Sequence, residues 1–133
     1  MTQRGEETLL VVVEPAGPGA CVQSAVASGG RIETLEGAAE SAYQGCNCER
    51  ASLTAWRVLR DREFLSIAVE DPWAREATAM FQDAGIRSSP TGSAGLAGLM
   101  AWLALPDCPL EPESNVLILN TEDGRLQQSE ACA

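Results

Sequence analysis

Five aliphatic residues in a row, Leu9 to Val13, follow an acidic start and end at Glu14-Pro15. An unbroken apolar run of this length, with three β-branched members, predicts a strand covered on both faces, as in a parallel sheet. Gly17-Pro18-Gly19 then opens a predicted helix, with Val22, Ala25 and Val26 on one face and Gly29-Gly30 as its stop. Ile32 to Leu35 predicts a weak strand. Gly37 to Tyr43 predicts a helix of small residues, broken by Gly45-Cys46-Asn47-Cys48. Ser52 is a good N-cap for a helix carrying Leu53, Trp56 and Leu59. Phe64 to Val69 is the second clear strand. Asp71-Pro72 reads as an N-cap followed by proline at the first helical position. The helix it opens places Trp73, Ala77, Met80, Phe81 and Ala84 on one stripe, and Gly85 ends it. Ser88 to Gly92 is a turn feeding a helix through Leu96, Leu99 and Leu103. Three prolines (Pro106, Pro109, Pro112) mark an exposed loop, and Val116 to Leu119 is the last predicted strand.

Strands that alternate with helices predict an α/β fold, a three-layer sandwich around a mostly parallel sheet. The expected organisation is a flexible start over 1–7, one α/β domain over 8–122 and a polar, fraying tail over 123–133. Three strong strands make a narrow sheet whose edges need cover. The pattern therefore suggests an incomplete unit, or one that borrows a partner.

Composition narrows the chemistry. The 133 residues are 45% hydrophobic and 21% charged, which is globular rather than disordered. The net charge is −10, and all nine cationic residues are Arg. With no His, a Ser-His-Asp triad, a Cys-His pair and an HExxH zinc site are all excluded within this chain. With no Lys, so are a Walker A lysine and a side-chain Schiff base. A strongly acidic chain without a basic cluster is a poor partner for nucleic acid or an anionic membrane. No stretch is long enough for a membrane span and no secretory signal is visible, so a cytoplasmic location is expected. Five irregularly spaced cysteines then read as free thiols.

Several groups could carry function. Gly92, Gly95 and Gly98 give one helix a small-residue face, suited to close packing or to an anion at the helix N-terminus. Packing is the simpler reading. Cys46 and Cys48 have C-x-C spacing with nothing to complete a metal set, so no metal site is expected. Glu14 closes the first strand, and Asn120, Thr121 and Glu122 close the last. In open α/β sheets ligands gather at those strand ends, although turn and cap roles explain the same positions. The acidic residues Glu36, Glu40, Glu70 and Asp71 read as solvated surface. Trp56, Trp73 and Trp102 lie in apolar stripes and read as core.

Four stretches, taken in order, resemble a known family. They are Val11-Val12-Val13-Glu14-Pro15, Ala55-Trp56-Arg57-Val58-Leu59, Ser88 through Leu99, and Val116-Leu117-Ile118-Leu119-Asn120-Thr121-Glu122. Their order and spacing resemble the C-terminal part of the fold-type II pyridoxal-phosphate enzymes. The nearest branch is that of diaminopropionate ammonia-lyase and threonine dehydratase. The resemblance implies an incomplete version of the larger cofactor domain of a cytosolic lyase. The family reaction is α,β-elimination of an amino acid to a 2-oxo acid and ammonia.

By that resemblance, Thr121 lies near the pyridine nitrogen of pyridoxal phosphate, with Asn120 beside it. Thr91 and Gly92 match a Ser-Gly step over the cofactor's far side, and Glu14 with Pro15 borders the pocket. The sequence also departs from the family. It has no Schiff-base lysine, and no Gly-rich phosphate loop precedes Leu9. Pro90 stands where the family usually has Glu. The expectation is a partial lyase with no catalytic residue of its own, inactive alone and binding no cofactor alone. Its expected partner is a lysine-bearing remainder of the enzyme, or a second copy. The alternative is a stand-alone, non-catalytic α/β domain for binding or dimerisation.

Overall fold

A computed structural model describes residues 8–37 and 40–124. The start expected to be flexible (1–7), residues 38 and 39 of the expected small-residue helix, and the tail from 125, including Cys132, lie outside them. The chain runs β1 (Leu10–Pro15), a 3-10 turn (Gly17–Gly19), α1 (Cys21–Ala27), a second 3-10 turn (Gln44–Cys46), α2 (Leu53–Leu59), β2 (Phe64–Val69), α3 (Asp71–Asp83) and α4 (Ala94–Leu103). Strands β1 and β2 pair in parallel, with Leu10 opposite Phe64 and Pro15 opposite Val69.

Strand side chains alternate between faces. Val13 meets α4, and Glu14 meets the start of α1. The two helices therefore lie on opposite faces of the pair. On the α4 side, Tyr43, Val69, Ala74, Ala77 and Ala97 form the buried core, with Val13, Ile67, Trp73 and Leu96 packed around it. Gly98 explains the close fit of α4 on β1. A Cβ there would stand 3.0 Å from Val13 Cγ1 and closer still to Cγ2. Packing is thus what the structure shows for this glycine.

The helix stripes are narrower than expected. In α1 the buried positions are Cys21 and Ala25, while Val26 is exposed. In α2 Trp56 alone is buried. Its Nε1–H donates to Gly30 O at 2.9 Å, and its ring meets Phe64 edge-on. Ser52 caps α2 as expected, accepting from the Ala55 N–H. In α3 Ala74 and Ala77 are buried and Met80 is exposed.

Four expectations fail for identifiable reasons. Ile32–Leu35 is not a strand; its backbone is tied to the rest of the described fold through Leu35 N–H to Glu49 O. The described part of Gly37–Tyr43 is not helical. Gly37 has φ +110°, and side chains capture the amides, Asp71 at Ala42 and Ser41 at Tyr43. Asp71 is consequently not the N-cap of α3. Glu70 holds that position, and Asp71 is the first helical residue. Val116–Leu119 is not a strand, because no hydrogen bond joins its backbone to another described residue. Ile118 is half-buried against Gly95, whereas Leu117 is 87% and Leu119 69% exposed. Among the described residues the sheet therefore has two strands, and no helix is long and apolar enough to cross a membrane.

Tyr43, the chain's sole tyrosine, reports on this core. It is fully buried and its hydroxyl donates to Glu70 O at 3.3 Å. Burial first, then the Asp71 carboxylate and Cys46, raise its phenol above the ordinary value. Unfolded tyrosine ionises near pH ~10. The neutral phenol's contribution to stability is therefore full below that pH and is lost as pH rises through the higher folded value. Absorbance at 295 nm should show native Tyr43 ionising later than free tyrosine, or only with unfolding. Ionisation at the free value would contradict the burial.

Candidate functional site

The turn between α3 and α4 is dense in hydroxyls. Four of the six residues from Ser88 to Ser93 are Ser or Thr, and all four are buried. The segment 120–124 folds back over them. Ser88 Oγ donates to Asn120 Oδ1 at 2.9 Å, and Asn120 Nδ2 donates to Arg87 O at 3.0 Å. Ser89 Oγ bonds the Glu122 carboxylate, and Ser89 N–H donates to Glu122 O at 3.3 Å. Ser89 Oγ also accepts from Gly92 N–H at 3.0 Å. Ser93 Oγ donates to Ser88 Oγ and accepts from Thr78 Oγ1. Thr91 Oγ1 accepts from Gly45 N–H, which ties the 3-10 turn at 44–46 to the start of α4.

Three of the five candidate positions meet here: Thr91, Gly92 and Asn120. Thr91 and Asn120 serve the internal network. Gly92 is fixed by space, since a Cβ would lie 2.6 Å from Asn120 Oδ1, 2.7 Å from Ser88 Oγ and nearer still to Glu122 O. Thr121 is on the same segment but exposed. Glu14 acts elsewhere. It is 8% exposed, and its two carboxylate oxygens accept from the N–H groups of Val22 (2.7 Å) and Gln23 (3.1 Å). It thereby caps α1, a helix whose own N-cap residue, Ala20, offers no side-chain acceptor. Glu122 is a candidate by its position in the sequence, and it does belong to the network. The roles of Ser89 and Ser93 are not visible in the sequence patterns, although the crowding of hydroxyls in the turn is a usable signal.

Cys21, Cys46, Cys48 and Cys108 are free, and no group of His, Cys, Asp and Glu among the described residues is arranged to hold a metal ion. Burial first, then neighbouring Cys48, Glu122 and Glu14, raise the Cys46 thiol. Burial first, then Glu14 and Cys48, raise that of Cys21. A raised value suppresses the thiolate, which is the reactive form.

Comparison with known proteins bears on the fold. No protein-family model and no curated protein matches the chain. Solved structures do. A threonine deaminase from T.th. is similar over 74% of this chain and 35% of its own, with 27% identity and a TM-score of 0.64. An L-serine ammonia-lyase from Rhizomucor miehei is similar over 91% of this chain and 39% of its own, with 20% identity and a TM-score of 0.70. Maize serine racemase is similar over 92% and 38%, with 23% identity and a TM-score of 0.64. These belong to the fold-type II pyridoxal-phosphate superfamily, so the fold is that of part of such an enzyme. The chain spans little more than a third of the structures it matches.

The described residues do not fit pyridoxal phosphate by themselves. The chain contains no lysine to join the aldehyde. The hydroxyls around Ser88–Ser93 bond one another and the 120–122 segment. No buried side-chain nitrogen or oxygen among the described residues lacks a partner. The space over Gly92 is filled by Glu122 O.

Proposed function

We propose that this chain is a partial lyase-like module of the fold-type II class, inactive alone and functional only beside a lysine-bearing remainder of the enzyme. The observation that carries this reading is a fold shared with little more than a third of a threonine deaminase, in a chain that has no lysine. The reaction in which the assembled form takes part is α,β-elimination of a small amino acid to a 2-oxo acid and ammonia. The diaminopropionate ammonia-lyase and threonine dehydratase branch is the specific version of this reading, and a reducing cytoplasm is its setting. In the assembly the sheet is completed to a three-layer sandwich, Thr121, Asn120, Thr91 and Gly92 belong to the pocket wall, and Glu14 supports it from behind by capping α1.

This chain's share is positioning. The Ser88–Ser93 turn, locked to Asn120 and Glu122, presents a rigid wall whose hydroxyls need no solvent. Pyridoxal phosphate supplies electron withdrawal when bound to an amine, and that amine lies on the complementary part.

The test is direct. The chain, pyridoxal phosphate and L-threonine or L-serine should yield no more 2-oxo acid than cofactor with amino acid. The native protein taken from its source cells should travel with a lysine-bearing companion, seen by intact mass, and that assembly should release 2-oxo acid. Turnover by the chain alone overturns the reading. A monodisperse self-pair without turnover favours the second reading, a non-catalytic binding or dimerisation domain. The saturated hydroxyl network is the observation on its side.

A further inference from the structure

Among the described residues β2 has one strand neighbour, β1, and its second edge is unpaired. Ala16 N–H donates to Val69 O at 2.8 Å, so Val69 turns its backbone groups toward β1. Successive residues of a strand turn theirs to opposite edges. Leu65 and Ile67 therefore serve the ladder with β1, and Phe64, Ser66 and Ala68 present their N–H and C=O groups to the second edge. There Gln23 Nε2 reaches Ser66 O at 3.4 Å, and no other hydrogen bond among the described residues uses those groups. Beside this edge lies an open groove of about 460 Å³, with Val26, Ala27 and Phe64 as its apolar lining and Arg62 among its polar lining. An unpaired strand edge is a template for another strand.

We propose that two copies of this chain pair antiparallel along β2, about a twofold axis at Ser66. The edge selects this occupant by being its own complement. Only residues that turn their groups outward can face each other in such a ladder, so Phe64, Ser66 and Ala68 pair among themselves. With Ser66 opposite itself, Phe64 falls opposite Ala68, a large side chain against a small one, and Arg62 falls opposite Glu70. One axis forms that charge pair twice, and opposite charges directly across a strand pair stabilise it. Both side chains are exposed, and neither bonds another described residue. Nearby carboxylates do not compete. Asp61 is held by Arg60 at 3.4 Å, Asp71 takes the Ala42 N–H, and Glu63 falls opposite Val69. Moving the axis to Leu65 or Ile67 sets Arg62 opposite Ala68 or Pro72 and loses the pair. The groove beside Val26, itself 52% exposed, then faces its own counterpart across the axis. This pairing uses neither the Ser88–Ser93 turn nor the open edge of β1, and it holds with or without a lysine-bearing remainder.

Sedimentation equilibrium of the purified, reduced chain should show a reversible pair at twice 14.0 kDa, with a dissociation constant at or below roughly 100 µM. Exchange of the Ser66 and Ala68 amides should slow with concentration, by about tenfold or more at saturation. Arg62→Glu and Glu70→Arg should each weaken pairing roughly tenfold or more, because like charges then face each other twice, and the two together should restore it. Ala68→Pro should abolish pairing while keeping the melting temperature of the dilute parent, since proline is tolerated where the N–H faces an open edge. The charge exchange carries the test if Ala68→Pro does not fold. A chain that stays at 14.0 kDa up to about 1 mM overturns the proposal. So does a pair whose Ser66 and Ala68 amides exchange as fast as in the single chain, or one that neither charge reversal weakens. Turnover tests the lyase-like reading separately. Pairing along β2 without turnover by the native assembly defeats that reading alone, and turnover by an assembly whose β2 edge stays open defeats this inference alone.

Discussion

Gly92→Ala should be among the most damaging single-methyl additions this chain can receive. The new Cβ points at Glu122 O, a backbone atom, with Asn120 Oδ1 and Ser88 Oγ at 2.6 and 2.7 Å. None of the three retreats freely. Glu122 O holds Ser89 N–H, and Asn120 Oδ1 holds Ser88 Oγ, so relief of the clash breaks buried hydrogen bonds. Overpacking costs about 1–3 kcal/mol, and a buried polar group left unmade costs about 1–3 kcal/mol more. A total of about 2–6 kcal/mol is a large part of the roughly 5–15 kcal/mol that typically holds a domain together.

Gly95→Ala is the control. Its Cβ would stand 3.1 Å from the Ile118 Cγ2 methyl, a contact that a shift of a few tenths of an ångström relieves. Alanine in a helix also gains about 1 kcal/mol over glycine, so the net change should be near zero. Urea unfolding followed by tryptophan fluorescence separates the two. Equal midpoints for Gly92→Ala and Gly95→Ala would mean that the 120–122 segment does not close over Gly92.

The contrast between these glycines marks how far the sequence can be read. Their three-residue spacing announces a close-packed face, and Gly98 against Val13 is such a contact. What each glycine meets depends on segments distant in the chain, Val13, Ile118 or Glu122, and no local pattern reveals that. Both paired strands are legible because a short, mostly apolar run rich in Val, Ile, Leu and Phe has few alternatives. Val116–Leu119 has the same composition yet forms no ladder, since a strand exists through a neighbour and hydrophobicity does not supply one. The helices at Ser52 and Asp71-Pro72 are legible from their opening residues. The small-residue stretch near Tyr43 is not, because a carboxylate from α3 takes the Ala42 amide. At the candidate site the sequence resemblance names Thr91, Gly92 and Asn120, and the fold brings these three together. It offers no sign that their polar atoms are already paired within the chain.

Glu14 shows the same lesson with a measurable consequence. As a residue at a strand's carboxyl end it is a candidate for the ligand pocket, yet its carboxylate is turned onto the first amides of α1. Helix N-termini carry unpaired N–H groups and a partial positive charge. A buried carboxylate that accepts two of those bonds answers both needs, and charged acceptors make the stronger bonds. Glu14→Ala should therefore cost about 3 kcal/mol, near the upper end for a hydrogen-bonded charged group. Glu14→Gln should cost roughly half as much, because one oxygen remains to accept while the new NH2 faces another donor. Ser66→Ala should be nearly silent, since its hydroxyl stands 3.5 Å from Glu14 Oε2, at the limit of a bond.

Amide exchange identifies the mechanism rather than the magnitude alone. In Glu14→Ala, Val22 and Gln23 should lose protection before β1 and β2 do. If instead all amides weaken together, the carboxylate supports the sheet and not the helix. If none does, Glu14 is free to face a ligand, and its place at the strand end recovers the meaning that the family resemblance first gave it.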